Sequence, residues 1–248
     1  MKYLITNADD FGFTRDVNEG IVHAHRHGIL TATTLMATGA AFDHAVELAR
    51  ENPELDIGVH LVLVGGAGFP PTVGALLRAV AMRRIRIYEE LTAQVRKILD
   101  AGIVPTHLDT HKHTHLLPPV LDAVARISEE FGIRWVRRPL FRTRLFQGAL
   151  ARRGCRMTDS FAGFRMTGKY DAAALARLIR RLPEGATEFM CHPGFCTVEL
   201  QQARTRLKES RRRELDALTS PEVRGAIEES NVQLARYRDL SPLAAPCN

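Results

Sequence analysis

The sequence predicts an α/β fold, in which the strands of a parallel sheet alternate with helices. Short apolar runs rich in β-branched residues recur along the chain, and each is followed by a stretch with helical periodicity. No repeat with a period of about 20 to 50 residues is present, which disfavours solenoids and propellers. A chain of 248 residues can bury one large core, so we expect a single domain over residues 1–248.

Six segments have the composition of short strands. They cover residues 3–6, 32–36, 57–63, 106–109, 134–136 and 188–192. The Gly- and Pro-rich stretch 64–71 follows the strand that carries His60. In a parallel barrel such loops surround the active face, so this stretch is expected beside the site.

Five helices are expected between these strands, over residues 17–27, 42–51, 88–100, 118–131 and 171–182. Gly28 and Gly102 follow the last periodic residues of two of them, and Pro53 lies just beyond a third. Pro118 and Pro119 open the fourth, where the first-turn amides have no intrahelical partner. The segment 204–213 is interpreted as one charged helix face and the tail 241–248 as frayed, and neither is assigned a function.

The composition is typical of a soluble globular protein. Hydrophobic residues make up 45% and charged residues 25%, and no run approaches the roughly 18 apolar residues of a membrane span. The first residues turn polar too soon for a secretory signal. The four cysteines form no CxxC pair, so we expect free thiols in a reducing compartment and a cytoplasmic location.

The chain is basic, with a net charge of +6 and a pI near 9.4. Its arginines are spread over several predicted helices and aromatic residues make up only 6%, so a nucleic-acid partner is not predicted. Dispersed charge usually indicates a solvated surface. An anionic substrate or a membrane surface could still be steered by it.

Two adjacent carboxylates, Asp9 and Asp10, stand at the end of the first predicted strand. Successive residues of an extended chain point to opposite sides, so the pair is not expected to chelate one ion as equals. One carboxylate can bind a metal while its neighbour, held close by a kink between strand and loop, takes a proton. A helix N-cap or a turn is the alternative explanation for such a pair.

Histidines supply the second set of candidates. His60 lies inside an apolar strand, where a single buried histidine is more often a hydrogen-bonded core residue than a ligand. The segment 106–115 adds four more at alternating positions, His107, His111, His113 and His115. An extended chain would align these imidazoles on one face, where neutral rings can bind a cation or a substrate. The density of histidines therefore indicates a metal-binding or catalytic role.

The last candidate, His192, ends a predicted strand and precedes a Pro-Gly turn. A histidine at the C-terminal end of a barrel strand is well placed for acid or base catalysis. A structural turn histidine is the alternative explanation.

Taken together, these motifs resemble the YdjC-like (ChbG) carbohydrate deacetylases. The matching segments are Asn-Ala-Asp-Asp-Phe-Gly at 7–12, Gly-Val-His at 58–60, Pro-Thr-His-Leu-Asp-Thr-His-Lys-His-Thr-His at 105–115 and Cys-His-Pro at 191–193. They occur in this order and span most of the chain. The resemblance implies a distorted (β/α) barrel of mostly parallel strands, related to the polysaccharide deacetylases.

The resemblance also implies the roles of the candidate residues. It places one divalent metal ion, magnesium or zinc, on Asp10, His60 and His111, with Asp9 as general base. On this hypothesis His192 protonates the departing amine. The remaining candidates would hold the metal ligands in place or bind substrate, and they are Asp109, His113, His115 and Arg137.

The implied substrate is an N-acetylated amino sugar, either an oligosaccharide or the headgroup of a glycolipid. Lys112 is a departure from the family pattern, because many relatives have a run of three histidines here. The segment 105–139 is most similar to the branch associated with hopanoid biosynthesis, which acts on an N-acetylglucosaminyl lipid. A peripheral membrane contact and a homodimer are left open. The Phe, Leu and Arg residues between 140 and 150 would suit either partner, although an amphipathic helix explains them as well.

Two other functions compete with deacetylation. Paired carboxylates and histidines also build metal-dependent phosphoesterases, often with two metals. The first strand, however, has no Asp-x-Asp arrangement and no Gly-rich phosphate cradle follows it. A non-catalytic sugar-binding barrel is the other alternative, because a fold does not guarantee an activity.

Overall fold

The computed structural model describes residues 1–66, 68–139 and 144–240, the last range without the side chains of residues 144 and 145. Eight strands lie in the described residues, and all of their pairings are parallel. They are β1 (Lys2–Phe11), β2 (Ala32–Leu35), β3 (Asp56–Leu61), β4 (His107–Thr110), β5 (Trp135–Val136), β6 (Ser160–Ala162), β7 (Gly185–Cys191) and β8 (Val232–Leu234).

The strands form one curled sheet in the order β5-β4-β3-β2-β1-β7-β6, and β8 pairs with the first residues of β1. Arg156, which lies between β5 and β6 in the chain, forms an isolated parallel bridge with Trp135 of β5. The sheet is therefore a distorted half-barrel of parallel strands, which confirms the predicted fold class. Strands from both ends of the chain share this sheet, which supports the proposal of a single domain.

Ten α-helices connect the strands within the described ranges. They are α1 (Arg15–His27), α2 (Phe42–Glu51), α3 (Val73–Ala81), α4 (Ile87–Asp100), α5 (Pro118–Phe131), α6 (Arg144–Arg152), α7 (Ala172–Arg180), α8 (Val198–Gln202), α9 (Glu209–Leu218) and α10 (Pro221–Glu229). The five predicted helices are confirmed. The last starts one residue later than expected because Asp171 is its N-cap, accepting a hydrogen bond from the Ala174 amide at 2.8 Å, and it ends at Arg180.

Three parts of the sequence folded differently from expectation. β1 continues through Phe11, so the paired carboxylates lie within a strand rather than after it. The segment 204–213 is not one charged helix face, because α9 starts only at Glu209 and its Arg211 is 1% exposed. The weakly patterned α3, α10, β6 and β8 were not predicted. Residues 140–143 and the tail 241–248 lie outside the described residues.

Helices cover the outside of the sheet. β1 to β5 and β7 are buried along most of their length, whereas β6 and β8 are more accessible. α3 is mostly solvent-accessible, since Leu76 is its one buried residue. Cys155, Cys191 and Cys196 are unpaired thiols, as predicted. No helix in the described ranges has the length and apolarity needed to cross a bilayer.

Candidate active site at the C-terminal edge of the sheet

Because every strand pairing is parallel, the C-terminal ends of the strands meet at one edge of the half-barrel. Residues from five strands or the loops directly after them converge there. They are Asp9 and Asp10 of β1, His60 of β3, Asp109 and His111 at β4, Arg137 after β5 and His192 after β7.

A backbone kink aims both carboxylates of β1 into the site. Asp10 has a φ of 71°, in the left-handed region that residues other than glycine rarely adopt. The pairing register between β1 and β2 shifts between Ala8 and Phe11, so the irregularity is a bulge in the strand. The bulge breaks the strict alternation of the strand, and Asp9 and Asp10 face different partners in the same site.

Three side-chain atoms form a compact triangle. Asp10 Oδ1 lies 3.4 Å from His60 Nε2 and 3.2 Å from His111 Nδ1, and the two nitrogens are 3.2 Å apart. Ligand atoms about 2.1 Å from an ion are separated by about 3.4 Å in a tetrahedral site and by about 3.0 Å in an octahedral one. Asp10 Oδ1 is buried and accepts no hydrogen bond from any described residue. The triangle therefore fits a divalent cation.

Two further side chains fix this triangle. Asp109 Oδ1 lies 2.7 Å from His60 Nδ1, which leaves Nε2 of the same ring facing Asp10. Such a carboxylate behind a ligating imidazole sets the orientation and the basicity of the ring. Arg211 Nη2 donates to Asp10 Oδ2 at 2.5 Å, so only the other oxygen of Asp10 faces the histidines.

In the absence of a metal ion, the ionisable groups of the triangle hold a proton at the position where a cation would bind. Burial alone would raise the pKa of Asp10, but Arg211, His111 and His60 hold it well below its ordinary value. Burial alone would lower the pKa of His60, but Asp109 and Asp10 outweigh burial and raise it to about 10. Without a metal ion, His60 is therefore an imidazolium at neutral pH.

Metal binding should consequently depend on pH. A metal ion must displace the proton of His60, so we expect the apparent affinity to rise about tenfold for each pH unit between roughly pH 7 and pH 9. Calorimetric or competition titrations of the metal-depleted protein with Zn²⁺ measure this slope. In the Asp109→Asn variant a carboxylate that keeps His60 protonated is gone, so the slope should flatten above pH 8. A wild-type affinity independent of pH would contradict the protonated state of His60.

Asp9 is held by a buried arginine. Arg137, which is 1% exposed, donates to Asp9 Oδ1 and Oδ2 at 2.7 and 2.8 Å and to Glu188 Oε1 at 2.7 Å. Its Nη1 also lies 2.7 Å from Asp109 Oδ2. Burial would raise the pKa of Asp9, but the guanidinium holds it well below its ordinary value. Arg137 thus lies behind Asp9 and keeps that carboxylate ionised, and its donors are committed to protein carboxylates rather than to a substrate.

The position of Arg137 also bears on the number of metal ions that the site could hold. Side-chain atoms of Asp9, His60 and Asp109 lie close enough together to form a second group of ligands. The guanidinium of Arg137 already binds the carboxylates of both aspartates, so its charge replaces a second cation there. The arrangement therefore disfavours a second cation beside the triangle of Asp10, His60 and His111.

His192 faces Asp9 across a gap. Its Nε2 is 3.9 Å from Asp9 Oδ2, too long for a direct hydrogen bond, so the two groups are neighbours at the same part of the site. The backbone amide of His192 donates to Glu214 Oε2 at 2.6 Å, and the ring Nδ1 lies 3.9 Å from the same oxygen. Glu214 therefore anchors the turn that carries His192.

The histidine segment differs from the expected extended strand. β4 ends at Thr110, and His111 begins a short 3₁₀ segment in which Lys112 and His113 have φ values of 53° and 52°. The imidazoles are thus not aligned on one face, and the prediction of a single histidine surface was wrong. Left-handed backbone at two successive non-glycine residues is costly and is often found at functional sites.

Each remaining histidine of this segment has its own surroundings. His107 lies inside the barrel, with Nε2 2.9 Å from Asn7 Oδ1 and its ring stacked on Tyr237, so it is structural. His115 Nδ1 lies 2.7 Å from Thr110 Oγ1. Burial lowers the pKa of His113 to about 2 and that of His115 to about 3, and Arg137 adds to both effects. Both rings are therefore neutral at physiological pH.

Comparison with known proteins agrees with these motifs. The family model of the YdjC-like proteins matches residues 3–229. The carbohydrate deacetylase of Geobacillus stearothermophilus is 36% identical, over 98% of this chain and 99% of its own length. The chitooligosaccharide deacetylase of Klebsiella pneumoniae (strain 342) is 35% identical, over 96% of this chain and 99% of its own length.

Solved structures extend the comparison to the fold. A crystal structure from Enterococcus faecalis V583, proposed to be a cellobiose-phosphate cleavage protein, has a TM-score of 0.84 and 29% identity, covering 96% of this chain and 98% of that one. A family 4 carbohydrate esterase from Streptomyces lividans has a TM-score of 0.51 at 12% identity, covering 99% and 98%, and shares the fold alone. The family model and the full-length relatives show that the chain belongs to the YdjC-like protein family.

Proposed function

We propose that this protein is a metal-dependent hydrolase that removes the N-acetyl group from an N-acetylglucosamine-type sugar. The observation that carries the proposal is the triangle of Asp10, His60 and His111 beside the ionised carboxylate of Asp9. Two relatives that align over nearly their whole length are named for the deacetylation of carbohydrates. These names support the sugar and the reaction, and the geometry supports the metal.

Asp10, His60 and His111 would hold the ion, and two imidazoles with one carboxylate suit zinc as well as magnesium. The chemistry that a bound divalent ion would supply is polarisation of the acetamide carbonyl and a lower pKa for a water molecule. Three protein ligands leave room for both. Asp109 and Arg211 keep the ligand atoms in register through the contacts described above.

Asp9 and His192 lie side by side at the active edge, where both are placed to move protons during the reaction. Asp9 is ionised throughout the working pH range, so it is in the correct state to accept a proton from the attacking water. His192 lies 3.9 Å from Asp9 and can donate a proton to the departing amine. Without that proton the amine is a poor leaving group, and the tetrahedral intermediate returns to the amide.

A screen of substrates and metals tests the proposal against both alternatives. Protein purified without chelator is analysed for its metal, then assayed for acetate release from N-acetylglucosamine oligomers with Mg²⁺, Zn²⁺ or no metal. Phosphate release from a generic ester serves as the comparison, since the position of Arg137 disfavours a two-metal phosphoesterase. Release of phosphate without acetate would favour the phosphoesterase, and release of neither would favour a sugar-binding barrel.

The finer substrate assignment is a soluble oligosaccharide or the headgroup of a glycolipid such as an N-acetylglucosaminyl hopanoid. A peripheral membrane contact would favour the glycolipid, and α3 is the surface that suits it. Leu77 and Met82 are 49% and 50% exposed, and Arg78, Arg83 and Arg84 lie on or just after the same helix. Apolar side chains among arginines match the acyl chains and the anionic headgroups of a bilayer surface.

We therefore expect the protein to sediment with phosphatidylglycerol vesicles at low salt and to be released at high salt. The double variant Leu77→Ser/Met82→Ser should remain in the supernatant. Val104→Ser, which replaces an exposed apolar residue before β4, should behave like wild type. Equal sedimentation of all three proteins would rule out α3 as the membrane-contacting surface. The cytoplasmic location and the homodimer stay predictions, and light scattering in solution measures the mass that decides the second.

A further inference from the structure

An aromatic side chain is presented to solvent at the same edge of the sheet as the active site. β6 ends at Ala162, and Gly163 follows with a φ of 102°. A Cβ on Gly163 would lie only 2.2 Å from the Met190 carbonyl oxygen, so only glycine permits this close approach to β7. Gly163 thus lies against β7 two residues before His192, and the next residue, Phe164, is 46% exposed.

Phe164 is part of a continuous set of rings that leads to the catalytic carboxylate. Its ring is 5.0 Å from the ring of His113, at an interplanar angle of 79°. The ring of His113 is 5.9 Å from Phe161, whose face lies 5.4 Å from the guanidinium carbon of Arg137. Arg137 binds Asp9. Phe164 therefore lies on the rim of the site, with two rings between it and Arg137 along these contacts.

The rim also contains an unsatisfied polar atom. His113 is 9% exposed, and its Nδ1 is buried with no hydrogen-bond partner among the described residues. A buried polar atom without a partner costs free energy, so a ligand group that bonds to it would be favoured. The left-handed backbone at Lys112 and His113 holds this ring in place at a further cost.

We propose that Phe164 and His113 form a subsite for a second pyranose ring, adjacent to the sugar that loses its acetyl group. A pyranose has an apolar C–H face, which stacks on an exposed aromatic ring, and a rim of hydroxyls, which can bond to His113 Nδ1. The subsite rests on the proposed function, and it makes an oligosaccharide the preferred substrate. A single exposed apolar side chain is common on protein surfaces, but Phe164 lies at the active edge against an unpartnered imidazole.

Kinetics of the Phe164→Ala enzyme test the subsite. We expect KM for triacetylchitotriose to rise about tenfold, with kcat within about twofold of wild type, because a lost stacking contact weakens binding of the distant ring. KM for the monosaccharide N-acetylglucosamine should not change. Phe164→Tyr keeps the ring and should keep the wild-type KM, which separates stacking from a general loss of structure. Val104→Ala, an exposed apolar residue before the N-terminal end of β4, is the matched control.

A binding measurement distinguishes failure of the subsite from failure of the proposed function. Triacetylchitotriose is titrated calorimetrically into the Asp9→Asn protein with Phe164 intact or replaced by alanine, so that turnover does not interfere. Weaker binding to the alanine form supports the subsite even if wild type releases no acetate. The proposal is overturned if Phe164→Ala leaves both KM and binding of the trimer unchanged, or if it weakens the monosaccharide equally.

Discussion

The Asp9→Asn enzyme should lose turnover by about 10²- to 10⁴-fold while binding metal at nearly wild-type stoichiometry. An amide has the size of the carboxylate but cannot take the proton of the attacking water. Asp9 is also not one of the three atoms of the metal triangle, which belong to Asp10, His60 and His111. The amide oxygen can still accept from Arg137, which keeps its contacts with Asp109 and Glu188, so the site should remain folded.

The neighbouring carboxylate provides a matched control. Asp10→Asn changes the same functional group one residue away, yet it removes the charge of a proposed metal ligand. That variant should lose both the metal and the activity, and excess metal should restore part of the activity. Elemental analysis of both variants after gel filtration makes the comparison. Loss of metal from Asp9→Asn would show that Asp9 is a ligand and that the roles of the two aspartates are reversed.

The parts of the site that the sequence predicted are those at the C-terminal ends of strands. Asp9, Asp10, His60 and His192 each lie in or directly after a strand with a clear apolar pattern, and parallel pairing brings such positions to one edge. The kink between the two aspartates could be expected as well, because an alternating strand cannot aim adjacent side chains into one site. The apolar periodicity of the strands therefore predicts those site residues whose positions depend on local structure.

The parts of the site that the sequence did not predict depend on contacts between residues far apart in the chain. Arg211 and Glu214 lie on α9 and reach Asp10 and the turn of His192, about two hundred and about twenty residues away. In the sequence they stand in a run of charged residues that looks like a solvated helix face. Nothing in their spacing indicates that two of these charges are buried. A buried arginine is assigned to a carboxylate only once the tertiary fold is known.

The prediction of an extended histidine segment was wrong for a different reason. Alternation at 107, 111, 113 and 115 suggests an extended chain, but the left-handed conformations of Lys112 and His113 end that pattern. Neither residue type predicts a positive φ in the way that glycine does. The strain is imposed by the surroundings of the site, so sequence periodicity cannot reveal it.

Replacing Arg137 with methionine should cost about 3–5 kcal/mol of the free energy of unfolding at neutral pH. The guanidinium is the shared partner of Asp9, Asp109 and Glu188. Removing it deprives three buried carboxylates of this cation and leaves Asp109 with His60 as its remaining charged partner. Urea unfolding followed by circular dichroism measures the loss. Arg138→Met is the matched control, because Arg138 is half-buried and donates to a backbone carbonyl, that of Thr158, at 2.9 Å. Its cost should stay near 1 kcal/mol.

The pH dependence of this difference tests the cause. In the wild type, Arg137 holds the folded pKa of Asp9 far below the unfolded value near 3.8, so Asp9 stabilises the fold above that value and at neutral pH. Burial already raises the pKa of Glu188 despite Arg137. Without Arg137, burial would raise the pKa of Asp9 and raise that of Glu188 further, so the folded variant is favoured where these groups are protonated. The stability gap between wild type and Arg137→Met should thus be widest near pH 7 and narrow towards pH 4. A gap that stays constant over this range would mean that lost packing, rather than unpaired charge, destabilises the variant.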